Sequence, residues 1–380
     1  MKRMLCVALL IVFTCILLSS LCTGATQIVI GVNAELTGGI PVVGRSCKNA
    51  AEMAVEEVNK AGGLEVAGTK YIVKLIVEDN EDRPESSAAV AQKLISQNQV
   101  LAIIGANASR NAIPPSQICE DAKTPMISPW STNVKTTQGK KYVFRACMID
   151  DFQGLVCARF AKDHLKADKA AVLYDVASEY NKGIAEEFKK SFEALGGKIV
   201  SFESYTTGDQ DFSSQLTRIV QASPKVLFLP NYYSEVPLQI QQARRLGFTG
   251  DFLGSDGWGS PEIIKLGGRD MEGQFFSTHY APDIATPTAQ KFIKAYEERY
   301  KELPDDVAAL TYDSFGMLFQ AIKAAGKLDR AALRDALAQI TKYEGVTGTM
   351  RFEGTGDPVK SAVIIQIKDG KFTYLASVGP

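Results

Sequence analysis

The chain has 380 residues, 22% of them charged, and a formal net charge of −1. This length exceeds what one hydrophobic core usually supports, so we expect two domains. The near-neutral balance argues against nucleic-acid or anionic-membrane binding, since both need clustered Lys and Arg. A small-molecule partner is therefore favoured over a polyanion.

The N-terminus has the pattern of an export signal. Two basic residues precede an apolar run over 4–18, and small and polar residues follow up to Ala25. That order predicts a cleaved signal peptide over 1–25, and hence an exported protein. The run is shorter than the ~20 apolar residues that a membrane-spanning helix needs. Lipid attachment at Cys22 is a less favoured alternative, because Leu21 precedes it where processing prefers a small residue.

The chain then alternates between apolar strands and amphipathic helices. The first part predicts strands over 28–32, 71–77, 100–104 and 125–127 and helices over 45–60, 85–97 and 113–121. After a strand predicted over 142–146, a second cycle begins, with strands over 170–174, 198–205, 226–229 and 252–253 and helices over 152–164, 180–195, 212–221 and 235–246. Strands separated by helices of this length indicate an α/β protein with parallel sheets covered on both faces.

The last part of the chain departs from this alternation. It predicts helices over 288–300, 307–325 and 330–340 and strands or hairpins over 347–352 and 362–367. We expect two similar lobes joined by several short crossings, because no long Pro/Ser linker divides them. The expected division is 26–145 with 276–348 for lobe 1, and 146–275 with 349–380 for lobe 2.

Signals of catalysis or metal binding are sparse. Outside the predicted signal peptide, four cysteines show neither CxxC spacing nor histidine company, so we expect no metal. A disulfide between Cys47 and Cys119 and free buried thiols both remain open. Neither a P-loop, a GxGxxG fingerprint nor a GxSxG elbow is present. We therefore expect no cofactor, and a secreted enzyme is less favoured than a binding protein.

Three loops at predicted strand ends carry polar side chains. They lie at 105–109, 128–132 and 254–259. In open α/β sheets, ligands bind beyond the carboxyl ends of the strands. Ser109 and Thr132 would bind a carboxylate there, and Asp256 from the other lobe would accept from an ammonium group. Helix capping by the same residues is the alternative.

At these positions the chain resembles the periplasmic leucine/isoleucine/valine-binding protein family, type I receptors of ABC transporters. The resemblance spans nearly the whole chain after the signal, including residues 31–39, 50–59, 104–105 and 242–247. It implies two Rossmann-like lobes joined by a three-segment hinge. It also implies a ligand-binding set in which hydroxyls bind the carboxylate, a main-chain carbonyl and an acid bind the ammonium, and aromatic rings line the pocket. The expected set is Ser109, Trp130, Ser131, Thr132, Tyr180, Tyr232 and Asp256.

The sequence departs from that family at several positions. Val43 stands where the branched-chain receptor has a tyrosine, and Trp130 where it has a small residue. Glu81 and Ala108 replace its cysteine pair. We expect an amino acid ligand, aliphatic or aromatic, bound by hinge closure in a monomer that serves a membrane permease. A sensory ligand-binding protein and a receptor for amides or carboxylic acids are the alternatives.

Overall fold

The computed structural model describes residues 26–380, so the predicted signal peptide lies outside the described residues. Within 26–380, one sheet is built from the first part of the chain. Its strands are β1 (Gln27–Ala34), β2 (Leu64–Val66), β3 (Thr69–Asp79), β4 (Ala102–Gly105), β5 (Met126–Ser128) and β6 (Val143–Arg145), in the order β2-β3-β1-β4-β5-β6. All neighbouring pairs are parallel except β2 with β3, which form a hairpin.

The helices of this first lobe follow the expected alternation. They are α1 (Pro41–Lys60), α2 (Pro84–Ser96) and α3 (Ser109–Asp121). Helices α1 and α3 each begin four residues before the predicted start. Proline at the first helical position needs no hydrogen-bond donor and has a helical φ, which explains the start of α1 at Pro41.

The second lobe repeats the pattern. Its first part contains β7 (Lys169–Asp175), β8 (Lys198–Tyr205), β9 (Val226–Leu229), β10 (Asp251–Gly254) and β11 (Phe275–Thr278), with α4 (Asp150–Arg159), α5 (Glu179–Ala194), α6 (Ser213–Gln221), α7 (Val236–Arg245) and α8 (Glu262–Gly267). A π-helical turn, Phe160–His164, extends α4 to the end of the predicted helix. Strand β11 and helix α8 were not predicted.

The last part of the chain returns to both lobes. It contains α9 (Pro287–Tyr300), α10 (Asp306–Ala325), α11 (Arg330–Ala338), β12 (Tyr343–Gly345), β13 (Gly348–Phe352), β14 (Pro358–Val359), β15 (Ala362–Lys368) and β16 (Lys371–Val378). Helices α9 and α10 pack on α1 of the first lobe. Strand β15 pairs antiparallel with β11, and β16 pairs antiparallel with β15. They complete the second sheet, in the order β16-β15-β11-β10-β9-β7-β8.

The expected three-segment hinge is present. Within the described residues the chain passes between the lobes at 146–149, 279–286 and 360–361. The lobe boundary predicted at residue 276 falls inside β11, a strand of the second sheet, so the second crossing starts after Thr278. Lys360 ties the first and third crossings, because its buried Nζ donates to the carbonyl of Ala146 at 3.0 Å.

The four described cysteines are free and buried. Cys47 lies in the main core cluster and Cys119 in a separate cluster on the first sheet, so the structure does not contain a Cys47–Cys119 disulfide. Among residues 26–380, no helix combines the length and the apolar character that spanning a membrane requires.

Candidate functional site

The predicted site residues lie where strands end and loops begin. Ser109 is the first residue of α3, directly after the loop that follows β4. Trp130 and Thr132 follow β5, and Asp256 follows β10 in the opposite lobe. Because the carboxyl ends of parallel strands share one edge of each sheet, these loops face one another across the cleft.

One small cavity lies between the loops of the two lobes. The side chains around it lie so close together that it has no room for a water molecule. It is lined by Asn107, Ala108, Ser109, Trp130, Tyr180, Tyr232 and Asp256. Five of the seven predicted site residues therefore contribute to one enclosed space, with contributions from both lobes. Ser131 and Thr132 are buried beside it but are not among the lining residues.

The buried carboxylate of Glu35 holds the loop that carries Ser109. Glu35 follows β1 and is fully buried. It accepts hydrogen bonds from the backbone N–H groups of Asn107 and Ala108, both at 3.1 Å, and from the Asn107 amide at 2.8 Å. Burial raises the pKa of Glu35. The sequence analysis missed this residue, since its role depends on a contact 72 residues away in the chain.

The Ser109 hydroxyl is oriented by its neighbours. It accepts from the Ser131 hydroxyl at 2.9 Å and from the backbone N–H of Asn133 at 3.3 Å. A hydroxyl has one hydrogen and two acceptor positions. With both acceptor positions engaged, Ser109 is left to donate its hydrogen. Ser131 therefore supports Ser109 rather than lining the cavity itself.

Asp256 is buried and is already hydrogen-bonded on both oxygens. The Tyr180 hydroxyl donates to Oδ1 at 2.6 Å, and Nε2 of His279 lies 3.2 Å from Oδ2. Burial lowers the pKa of His279. A carboxylate offers about four acceptor positions, so each oxygen of Asp256 can still accept from a further donor. The sequence analysis did not identify His279, because its partner Asp256 lies 23 residues away in the chain.

Aromatic rings form the walls of the cavity. Tyr232 stacks on Tyr180 with ring centroids 5.3 Å apart, and Trp130 lies 5.9 Å from Tyr232. The guanidinium of Arg110 lies over the other side of this group, 5.1 Å from the Tyr232 centroid, and pairs with Asp82 at 2.6 Å. Trp130 and Tyr232 come from different lobes, so this packing crosses the cleft.

Asp306 fixes the orientation of Trp130. Nε1 of Trp130 donates to Asp306 at 3.2 Å, and the Thr278 hydroxyl donates to the same carboxylate oxygen at 2.9 Å. Burial raises the pKa of Asp306 well above its usual value. A Cβ at Gly259 would lie 2.5 Å from Asp306, so the backbone of the second lobe also approaches this carboxyl closely. The sequence analysis did not identify Asp306, because its contact with Trp130 joins residues 176 positions apart.

Two residues of α1 lie away from the cavity. Val43, which stands where the branched-chain receptor has a tyrosine, is buried in the core and does not line the cavity. Arg45, two residues later, is half-exposed and lies 3.9 Å from Glu302. Among the described residues, no group of three or more His, Cys, Asp or Glu side chains is arranged to hold a metal ion.

Comparison with known proteins agrees with this two-lobed cleft. The family model described as "Periplasmic binding protein" matches residues 27–371. The chain belongs to the periplasmic binding protein family. It is 30% identical to the leucine-, isoleucine-, valine-, threonine-, and alanine-binding protein of Pseudomonas aeruginosa, over 88% of this chain and 87% of that one.

Solved structures of this family have the same fold. The leucine binding protein LivK from Thermotoga maritima is 37% identical, with a TM-score of 0.88, and the match covers 93% of this chain and 99% of that one. LivJ from Streptococcus pneumoniae, in complex with isoleucine, is 30% identical, with a TM-score of 0.87 over 93% and 100% of the two chains. The predicted family and the type I two-lobed fold are confirmed. These relatives are solute-binding proteins rather than enzymes, as the sequence indicated.

Proposed function

We propose that this periplasmic binding protein captures an amino acid between its lobes and delivers it to the permease of an ABC transporter. One observation carries the proposal: Ser109 and Asp256 line the same enclosed cavity from opposite lobes. Ser109 has a hydrogen to donate, and Asp256 has oxygens free to accept. A zwitterionic amino acid matches both ends at once.

The α-carboxylate then lies at the start of α3. There it accepts from Ser109 and from backbone N–H groups of the first turn, which favour an anion. Thr132 is a further donor, because its buried hydroxyl can turn from the neighbouring Asp150 carboxylate to the ligand. The α-ammonium lies at Asp256 and donates to it, with the main-chain carbonyl of Trp130 as a second acceptor. Tyr180, Tyr232 and Trp130 surround the ligand's carbon atoms.

Hinge closure follows from where these groups lie. Only a ligand that contacts both lobes stabilises the closed state over the open one. In the closed cleft Asn133 donates to the Glu179 carbonyl at 2.8 Å and Lys135 pairs with Glu179 at 2.6 Å, so the rim is bridged as well. We further propose that the protein is located in the periplasm, which agrees with the predicted signal peptide. We also propose that it works as a monomer.

The test is a thermal-shift screen of the protein with the twenty amino acids, simple amides and aromatic acids, followed by calorimetry. At least one amino acid is expected to raise the melting temperature, since a ligand bound only by the folded state stabilises it by mass action. Mass spectrometry of freshly purified protein, after denaturation, identifies any ligand that stayed bound during purification. Stabilisation by benzoate-like acids or amides alone, with no amino acid active, would refute the amino acid assignment.

The variant Ser109→Ala tests whether the Ser109 hydroxyl binds the ligand carboxylate. It removes the donor while Ser131 and Asn133 remain, and a tenfold or larger loss of affinity is expected from an unpaired ligand carboxylate. Ser96→Ala, on the exposed end of α2, serves as the control and should bind like the unmodified protein. If Ser109→Ala binds the amino acid as tightly as the unmodified protein, Ser109 does not bind the ligand.

A further inference from the structure

A second cavity, which we call the hinge cavity, lies beside the second crossing between the lobes. Its volume is about 420 Å³, within the range of roughly 300 to 1,000 Å³ that is typical of small-molecule sites. Three parts of the molecule form its mainly apolar walls: Ile293 and Leu303 of the first lobe, Ile264 and Phe372 of the second lobe, and Tyr280 and Pro282 of the crossing. The hinge cavity therefore has the size and the lining of a ligand site.

The charged groups around the hinge cavity favour an uncharged occupant. The Asp305 carboxylate caps α10, where it accepts from the Ser46 hydroxyl at 2.6 Å and from the backbone N–H of Ala308 at 2.8 Å. This carboxylate disfavours an anion, and the helix N-terminus that balances its charge disfavours a cation. Asp283 and Lys371 also line the cavity but are exposed to water. Burying a charge against the remaining apolar walls is costly.

Asp306 supplies a polar group that an occupant can reach. It lines the hinge cavity and is 3% exposed. Within residues 26–380 it accepts two hydrogen bonds, from Trp130 and Thr278, and both go to Oδ2. Its Oδ1 accepts none and lies beside Gly259, another residue of the cavity wall, where an added Cβ would be 2.5 Å away. One oxygen of a buried carboxyl is thus left without a partner at the cavity.

The protonation of Asp306 decides what this oxygen can bind. Burial raises the pKa of Asp306 well above its usual value, so the carboxyl is protonated near neutral pH. Because Oδ2 is engaged by two donors, the hydrogen lies on Oδ1. A carboxylic acid that stays neutral in an apolar site acts as a hydrogen-bond donor. The matching group on a ligand is an acceptor oxygen without a charge.

We propose that the hinge cavity is a second binding site, for a small, uncharged and mainly apolar molecule with one acceptor oxygen that is bound by Oδ1 of Asp306. This site goes beyond the proposed amino acid site, and the hydrogen bond from Trp130 to Asp306 links the two. Both lobes contribute walls, so an occupant that contacts them in the closed state stabilises that state over the open one.

Three probes with one apolar cage test the polarity of the site: 2-adamantanone, 1-adamantanecarboxylate and 1-adamantylammonium. In calorimetry the ketone should bind, and each ion should bind at least about tenfold more weakly, because its charge loses hydration among apolar side chains. The ketone should also decrease the radius of gyration in small-angle scattering without any amino acid present. No binding of the ketone, or tighter binding of either ion, would overturn the inference. Binding without contraction would refute the stabilisation of the closed state.

The variant Ile264→Trp tests where the ketone binds. The larger side chain takes up space in the hinge cavity, so ketone affinity should fall at least about tenfold, with a melting curve used to verify the fold. Leu266→Trp is the matched control, because Leu266 lies on the same helix α8, is 52% exposed and does not line the cavity. Asp256→Ala should also bind the ketone normally. Binding that is lost in Asp256→Ala but kept in Ile264→Trp would place the ketone between Ser109 and Asp256 and contradict the inference.

Two substitutions of Asp306 test the hydrogen bond itself. Asp306→Ala removes the donor and should weaken ketone binding about tenfold. Asp306→Asn should bind the ketone within about threefold of the unmodified protein, because an asparagine amide can accept from Trp130 and Thr278 through its oxygen and donate through its nitrogen. Equal affinity of the two variants, whether kept or lost, would contradict the role of Asp306. These experiments use no amino acid, so their failure leaves the proposed function untouched.

Discussion

At the scale of single residues, the polar groups of the cavity are prepared before any ligand arrives. Ser109 is oriented by Ser131, and Asp256 is held by Tyr180 and His279. Fixing these groups in advance reduces the entropy lost on binding. Both Ser109 and Asp256 were predicted from loops at strand ends and from the family resemblance. Of the residues that support them, Ser131 and Tyr180 were in the expected set, whereas Glu35 and His279 were not, because sequence distance hides a pair such as Asp256 and His279.

Asp256→Ala tests the acidic end of the cavity. Affinity for the amino acid should fall more than tenfold, because truncating one member of a buried charge pair typically costs ~2 to 5 kcal/mol. The measurement is calorimetry, with Asp168→Ala as control, since the Asp168 side chain is 89% exposed. Affinity that survives the loss of this carboxylate would contradict the ammonium assignment.

At the scale of elements, long periodic segments were predicted well and the ends of elements poorly. The helix over 307–325 and the strand over 226–229 match α10 and β9 to within one residue. Strand β11 was missed because it has only four residues, Phe275–Thr278, and its apolar content does not distinguish it from a loop. Its place between β10 and β15 depends on pairing with a strand almost ninety residues later in the chain, which local pattern cannot supply.

Helix α4 begins at a residue on which two effects oppose each other. A helix N-terminus favours a negative charge by up to about 2 kcal/mol. Asp150, the first residue of α4, is only 2% exposed, and the Thr132 hydroxyl is close enough to lower its pKa by hydrogen bonding. Burial nevertheless raises the pKa of Asp150 to about 8, so loss of hydration outweighs both the dipole and the Thr132 hydroxyl.

We therefore predict that Asp150→Asn stabilises the folded protein, and that the gain depends on pH. The raised pKa means that the folded state binds a proton that the unfolded state releases above its usual pKa near 4, so stability falls as the pH rises from about 4 to about 8. The neutral asparagine removes that dependence. The variant should melt a few degrees above the unmodified protein at pH 8, and the difference should shrink towards pH 5. The control is Asp151→Asn, at the exposed neighbouring residue. If the stability of both variants depends on pH in the same way, the effect does not come from Asp150.

At the scale of the whole molecule, closure depends on contacts of two kinds. The cavity offers buried polar groups from both lobes, whereas the rim offers the pair between Lys135 and Glu179, whose side chains are 56% and 46% exposed. Exposed ion pairs contribute about 0–1 kcal/mol, and buried charge pairs several times more. Closure should therefore be driven by the ligand, with the rim as a minor contributor.

Glu179→Ala separates these contributions. It removes the Lys135 pair but keeps the backbone carbonyl that accepts from Asn133, so affinity should fall by less than about fivefold, against more than tenfold for Asp256→Ala. The small effect should also vanish at high salt, because an exposed pair is screened. Small-angle scattering should show the same ligand-induced decrease in radius of gyration for Glu179→Ala as for the unmodified protein. A variant that binds ligand normally but no longer contracts, or that loses affinity as severely as Asp256→Ala, would show that the rim rather than the cavity controls closure.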